Sequence, residues 1–316
     1  MDVLSDVIAV MRVGRPVSAR VRRHAPWGRR YPASPGAAFH VVLQGTCWLL
    51  PANGVPVALS PGDVVLLPRA IDHALADLPS SPLTETCCVP DPDRPSFENR
   101  EEFPPGAAGL AAGLSSVTLC GAYQFHDSLA HPLLSGLPEI VHVPAKPGHH
   151  AELRAAVELL GAELENPRIG AGAAVPALLD VLLLYVLRAW FADQPVPGTT
   201  SGWAVALSDP AIITALSGIH DDPSRSWTVE ELGKRSGLSR TAFARRFTAL
   251  VGRPPLAYLT WWRMVLAQRL LRASELPLSV VAREVGYTSE FAFANAFKRE
   301  HGIAPGRYRR QGRTTA

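Results

Sequence analysis

One pattern occurs twice near the C-terminal end of this 316-residue chain, and few folds accommodate it. Leu232-Gly233, Gly237-Leu238, Phe243 and Phe247 recur about 50 residues later as Val281-Ala282, Gly286-Tyr287, Phe293 and Phe297. Each copy reads as helix, tight turn, helix. A small residue, Gly233 or Ala282, lets the two helices cross closely, and Gly237 or Gly286 supplies the left-handed backbone of the turn. Phe at i and i+4 buries the inner face of the second helix. Thr228 and Glu231 form a capping box for the first helix of the first copy. Ser239 and Ser289 are natural N-caps for the two second helices. A helix presented in this way fits the major groove of DNA. Between the copies, Leu256–Ala273 is an 18-residue helical pattern. Its length of about 27 Å approaches the ~34 Å between successive major-groove faces, so it reads as a rigid spacer.

Charge supports the same reading. Residues 207–316 carry 17 Lys and Arg against 9 Asp and Glu, whereas residues 1–206 carry 14 against 19. An acidic body joined to a basic domain points to a polyanion, here double-stranded DNA. Asp2 and Asp6 stand where a secretory signal would be basic. Val175–Trp190 is interrupted by Asp180 and Arg188 and reads as too short to span a bilayer. Four cysteines in so long a chain, none in a C-x-x-C pair, make no disulfide framework. The expected compartment is the cytoplasm, in association with the nucleoid, with no membrane partner.

The first part of the chain has another texture. Residues 1–13 are amphipathic and predict a short helix. Phe39–Leu43, Cys47–Leu50, Pro56–Leu59, Val64–Leu67 and Val117–Phe125 read as strands, with Asn53-Gly54 as a hairpin turn. Many short strands at close spacing predict a sandwich or barrel. Residues 89–115, rich in Pro, acidic residues and Ala/Gly, read as a long surface loop. Helical spacing returns in 149–166 and 174–192. The second of these is apolar over most of its circumference and needs cover, for which a second copy of the chain is a good candidate. The predicted organisation is a sensor domain over 1–148, a helical dimerisation segment over 149–192, a linker over 193–206 and a double helix-turn-helix domain over 207–316.

The stretches GLSRTAFARRFTALVGRPPLAYLTWWRMVLAQRLL and VAREVGYTSEFAFANAFKREHGIAPGRYRR resemble the AraC-type transcription regulators. APWG, FHVVLQGTCWLL, LSPGDVVLLPRAIDHAL and LCGAYQF are similar, in order and spacing, to the cupin-type sensor domain of a subgroup of that family. The resemblance implies an α+β protein: a cupin-like β-barrel, a helical dimerisation segment and an all-α double helix-turn-helix domain. It implies base reading by Thr241, Ala244 and Arg245, with Arg240 and Arg246 beside them as phosphate contacts. Arg245 suits guanine, whose edge its planar fork matches. In the second copy the matching positions are Glu290, Phe291, Ala292 and Asn295. Asn295 can pair with adenine, whereas Glu290 repels phosphate, so this helix is expected to bind weakly or adapt. Lys298, Arg299, Arg307, Arg309 and Arg310 are expected on the DNA backbone. RNA polymerase is the partner the family implies, and activation is its commoner mode.

Strand alternation puts His40, Val42 and Gln44 on one face, and GDVVLLPRAIDH, ending at His73, resembles the second cupin motif. Two imidazoles could hold a zinc-like ion if Cys120, His126 or His131 joined them. They could instead bind a small organic effector. The first cupin motif's usual His pair is missing, and Ala38 stands at its Glu position. A cupin enzyme fused to DNA-binding helices would need three or more ligands, so no enzyme is expected. Cys87, Cys88 and Cys120 supply a redox-sensing alternative.

Overall fold

A strand buried on both faces needs an unbroken apolar run, and Val64–Leu67 is such a run, with all four residues buried. It lies inside the first of two units into which the chain divides in the computed structural model. The structure describes residues 3–11, 16–85, 97–103, 114–123, 131–194 and 202–314. Helix α1 (Val3–Met11) is followed by β1 (Val17–His24), β2 (Gly28–Tyr31), β3 (Ala37–Gln44), β4 (Cys47–Pro51), β5 (Val57–Leu59) and β6 (Val64–Leu67). Next come β7 (His73–Ala76), β8 (Thr84–Glu85), β9 (Phe97–Glu102), β10 (Ser115–Tyr123), the short helix α2 (Pro132–Ser135) and β11 (Val141–Val143). The rest is helical: α3 (Ala151–Glu165), α4 (Ala171–Ala192), α5 (Trp203–Ala206), α6 (Pro210–Asp221), α7 (Val229–Arg235) and α8 (Arg240–Val251). Then follow α9 (Pro255–Ala273), α10 (Leu278–Glu284), α11 (Glu290–His301) and α12 (Pro305–Thr314).

The β unit contains two sheets, ordered β11-β6-β3-β10-β1-β9 and β5-β4-β7-β2-β8. No ladder joins them among the described residues, so the expected barrel is an open two-sheeted sandwich within the α+β class. Trp27, Val42, Leu49, Leu59, Val65, Leu67 and Leu75 fill the space between the sheets. The predicted hairpin around Asn53-Gly54 is present as β4–β5, with Cys47 opposite Leu59. The loop read over 89–115 needs correction: β9 lies within it and runs parallel to β1, Ser18 opposite Phe97 and Arg23 opposite Glu102. Apolar alternation misses both strands because arginine–carboxylate pairs replace it, Arg23 meeting Glu102 at 3.0 Å. The remainder of 89–115 lies outside the described residues apart from 103 and 114 onward.

The same unit includes α3 and α4, joined by residues 166–170. At 22 residues α4 is long and apolar enough to cross a membrane by length and composition, which corrects the short span read from sequence. Its Val175, Leu179, Leu182, Leu183, Val186 and Leu187 are nevertheless buried, and it packs on α3 and β11. Tyr123 donates to the Leu179 carbonyl at 2.6 Å.

The helical unit gathers α5–α12 and, in addition, α1 and residues 131–136. The sequence boundaries give those two segments to the sensor domain, and the contacts give them to the helices. A buried polar chain holds them there. Asp6 lies 3.2 Å from His220 Nδ1, His220 Nε2 lies 2.8 Å from the Tyr258 hydroxyl, and His131 Nε2 lies 3.3 Å from that hydroxyl. Residues 203–206 of the predicted linker are α5, and 195–201 fall outside the described residues.

Both helix-turn-helix copies form as read. The Thr228–Glu231 capping box is complete, and the Ser239 and Ser289 side chains accept from the amides of Ala242 and Ala292. Gly237 and Gly286 have φ of +68° and +82°. Helix α9 is more than a spacer: Met264, Ala267 and Leu271 share a core with Val281, Ala282, Phe293 and Phe297 of the second copy. Arg263 donates from Nε to the Pro223 carbonyl at 2.7 Å and from Nη2 to the Arg225 carbonyl at 2.9 Å. Its guanidinium also lies 5.7 Å from the Tyr287 ring. That arginine ties the loop before α7 to the turn of the second copy.

The two turn glycines are therefore unequal. A Cβ at Gly237 meets nothing within 4 Å, whereas one at Gly286 falls 2.6 Å from Ser224 O and 2.7 Å from Arg263 Nη2. Gly237→Ala should cost about 1 kcal/mol for its left-handed backbone alone. Gly286→Ala should cost roughly 2–3 kcal/mol, because strain and overlap add. Thermal unfolding of the two variants side by side checks this order.

Candidate functional site

Helix α8 is amphipathic about a buried Phe243–Phe247 seam, and this seam decides what faces outward. Arg240, Thr241 and Arg245 are exposed, and Ala244 is half-buried beside them. No described side chain engages Arg240 or Arg245. Arg246 differs: its guanidinium lies 2.5–2.6 Å from the Asp209 carboxylate. Asp209 is itself the N-cap of α6, accepting from the amides of Ala211 and Ile212. The expectation of a phosphate contact at Arg246 thus meets a residue already committed to holding α8 against the start of α6.

On α11 the seam is Phe293 and Phe297, leaving Glu290, Phe291, Ala292, Asn295, Lys298 and Arg299 exposed. Phe291 is 76% exposed, an unusual position for so large an apolar ring. Arg307 and Arg310 are exposed on α12, whereas Arg309 donates to the Leu276 carbonyl at 2.6 Å. The basic surface is the sum of these side chains with α8's arginines.

The sandwich holds a second constellation. His40 on β3 and His73 on β7 come from different sheets, and their Nε2 atoms lie 2.7 Å apart. His73 Nδ1 lies 2.6 Å from the Ile71 carbonyl, so it carries the proton there and leaves Nε2 to accept from His40. His40 Nδ1 is buried with no partner among the described residues. Burial, then Arg23 nearby, pushes the His40 pKa down to about 3. Burial, then His40, pushes His73 down to about 3. The Tyr31 ring stacks on His73 at 5.1 Å. Buried Arg23 donates to Thr118 Oγ1 at 2.9 Å and to the Tyr31 hydroxyl at 3.3 Å. Burial opposes its charge, but Tyr31, Cys120 and Glu102 beside it hold its pKa above the ordinary value. Cys120 lies opposite His40 in the sheet, with Sγ 3.7 Å from the Tyr31 hydroxyl and 3.6 Å from Thr118 Oγ1.

These residues fit a cation poorly. The imidazole nitrogens bond each other directly, closer than the ~3.3 Å between two ligands of a tetrahedral zinc. His40, His73 and Cys120 do not bring three ligand atoms within 4.8 Å of one another among the described residues. His131, a candidate third ligand, sits in the helical unit, where its Nδ1 accepts from the Leu133 amide. His126, Cys87 and Cys88 lie outside the described residues.

Comparison with known proteins decides the family. Residues 2–192 match the Cupin family and residues 232–311 the Helix-turn-helix domain family. A Streptomyces lividans protein named as an AraC-like transcription regulator is 35% identical over 312 residues, 98% of each chain. The chain belongs to the AraC family of transcription regulators. The RCS-specific HTH-type transcriptional activator RclR of Escherichia coli is 29% identical over 281 residues, 88% of this chain and 86% of that protein. The DNA-binding domain of AdpA, solved with a target DNA, is 34% identical and covers 34% of this chain and 96% of that domain, with a TM-score of 0.32.

In this AraC-family protein sequence reasoning found the histidines and missed Arg23, Tyr31, Thr118 and Glu102. Arg23 sits in Ser18–His24, where three arginines hide the strand, and nothing local marks it as buried. Of the cysteines, Cys47 is a core thiol pushed up to about 12 by burial and by Cys120 nearby.

The histidine pair makes stability depend on pH. Both imidazoles stay neutral when folded, whereas the unfolded chain takes up protons below its ordinary pKa of about 6.5. The stabilisation is complete above about pH 6.5 and is lost as pH falls toward the folded values, at up to ~1.4 kcal/mol per unit per group. The melting temperature of the sandwich should therefore drop between pH 7.5 and 5.5. His73→Asn should flatten that slope, and an unchanged slope would remove the pair as its cause.

Proposed function

We propose that this regulator is a homodimeric activator that reads a guanine-containing half-site with α8 and responds to a small polar effector held by its sandwich. The observation that carries the reading is the Ser239-capped α8, locked by Phe243 and Phe247, with Arg240, Thr241 and Arg245 outward on a unit of positive charge. Arg245 is the base reader, while Arg240, Lys298, Arg299, Arg307 and Arg310 supply phosphate contacts. Thr241 and Ala244 add contacts at the groove floor. On α11 Phe291 and Asn295 offer a ring for thymine methyls and an amide for adenine, and Glu290 keeps phosphate away. RNA polymerase is the partner an activator needs, and the cytoplasm is where it meets both.

The effector reading rests on His40 Nδ1, a buried polar atom without a partner among the described residues. Such an atom costs about 1–3 kcal/mol unless something pairs with it. A small polar organic molecule suits a site lined by neutral imidazoles, a phenol and a buried guanidinium. Oxidation at Cys120 is a second reading, favoured by its place beside Tyr31 and Thr118 and by the RCS-specific name of one relative. A cupin enzyme is disfavoured, since the two imidazoles bond each other rather than opening toward a third ligand.

The dimer reading rests on two exposed apolar side chains of the helix pair, Leu159 on α3 at 60% and Val181 on α4 at 38%. Leu159→Glu with Val181→Glu should convert dimer to monomer in sedimentation velocity while leaving the circular dichroism unchanged.

Arg245→Ala should weaken binding to the specific site by roughly 10–100-fold, the worth of one bidentate base contact. Binding to scrambled DNA should change by less than about 3-fold. Electrophoretic mobility shift at fixed salt measures both. Equal loss on the two DNAs would demote Arg245 to a phosphate contact.

A further inference from the structure

One group of three metal-ligating side chains assembles among the described residues, and it is not the buried pair. His149, His150 and Asp193 each bring a ligand atom to within 4.8 Å of the others. His150 Nε2 lies 3.1 Å from Asp193 Oδ1, near the ~3.3 Å between two ligands of one tetrahedral ion with bonds of about 2.0–2.2 Å. The three come from the start of α3 and the end of α4, which meet at the open end of the hairpin. His149 and His150 immediately precede α3, His150 being its N-cap, while Asp193 is the C-cap of α4.

The local backbone is shaped for this. His150 has φ of +48°, a left-handed conformation that costs energy for any residue with a Cβ, and its side chain makes no capping bond to α3. Strain of this kind persists where surrounding structure enforces it, often at binding sites. A cleft of about 410 Å³ opens beside the imidazoles, lined by Lys146, His149, His150, Leu153, Arg154 and Val157 among others. An ion held by two imidazoles and a carboxylate has an open coordination position. The cleft provides room for water or a small anion there, with Lys146 and Arg154 as counter-charges.

We propose that His149, His150 and Asp193 bind one divalent transition ion of the zinc class. Imidazole with carboxylate suits zinc, nickel and copper better than calcium or magnesium. The α3–α4 hairpin is closed at one end by residues 166–170, and the ion closes the other. Asp193 is also the last residue of the sandwich unit before the chain passes to the helical unit. The ion therefore fixes the point from which that connection leaves.

The test uses untagged full-length protein, stripped with chelator and titrated with ZnCl₂ by calorimetry. Wild type should bind one equivalent. Affinity should fall at least ~10-fold in His150→Ala and in Asp193→Asn, since even removing an outer partner of a metal ligand costs that much. His73→Asn should bind as wild type does. Co²⁺ in place of Zn²⁺ should give the visible absorption of a tetrahedral site in wild type and lose it in Asp193→Asn. Asp193 is exposed and His150 is half-buried at the start of α3, outside the core, so circular dichroism should be unchanged. No binding by wild type would overturn the proposal. So would binding that survives both the His150 and Asp193 substitutions or disappears in His73→Asn.

Discussion

The helical unit depends on one helix serving two cores. Tyr258, Trp261, Trp262, Met264, Ala267 and Leu271 of α9 are all buried, and they cannot all be covered by one neighbour on a helix of 3.6 residues per turn. Toward its N-terminal end α9 meets α8 and α1, and toward its C-terminal end α10, α11 and α12. Each helix-turn-helix copy is too small to bury its Phe pair alone. A shared α9 lets each complete its core, and the separation of α8 from α11 is then set by about 28 Å of helix rather than by flexible loop. Arg263 adds a polar tie across the same span, holding three loop carbonyls and facing Tyr287.

The sandwich solves a different problem. Its interior holds a guanidinium, two imidazoles, a phenol and a thiol, groups that destabilise a core unless they satisfy one another. Arg23 finds Glu102, Thr118 and Tyr31, and His73 finds Ile71 and His40. The network joins the two sheets where the backbone ladders do not. Such a network specifies a particular apposition of the sheets more than it adds stability.

Legibility in the sequence followed the physics of each element. The helix-turn-helix repeats were readable because their signals are local: a capping residue, a left-handed glycine, a Phe pair at one helical turn. Strands β3 to β6 were readable because both sides of the sandwich are apolar there. Strands β1 and β9 were not, since their stability comes from pairing arginines with carboxylates some 79 positions away in the chain. His40 and His73 were nominated by strand alternation and motif resemblance. Their direct bond depends on how two sheets face each other, which no local pattern encodes. Arg246 shows what a helical pattern leaves out: it reads as an exposed charge, and it is one, but only the fold reveals its ion pair with Asp209.

Two domains on a string share a single connection. Here the chain leaves the helical unit after α1, returns to it for α2, leaves again at residue 137 and returns after Asp193, making four crossings. A chain begun at residue 207 would lack Asp6 and His131, two members of the polar chain centred on His220 and Tyr258. The helical unit therefore extends beyond the helix-turn-helix region itself. Its core is completed by two segments, α1 and residues 131–136, that lie far ahead of the helix-turn-helix copies in the chain.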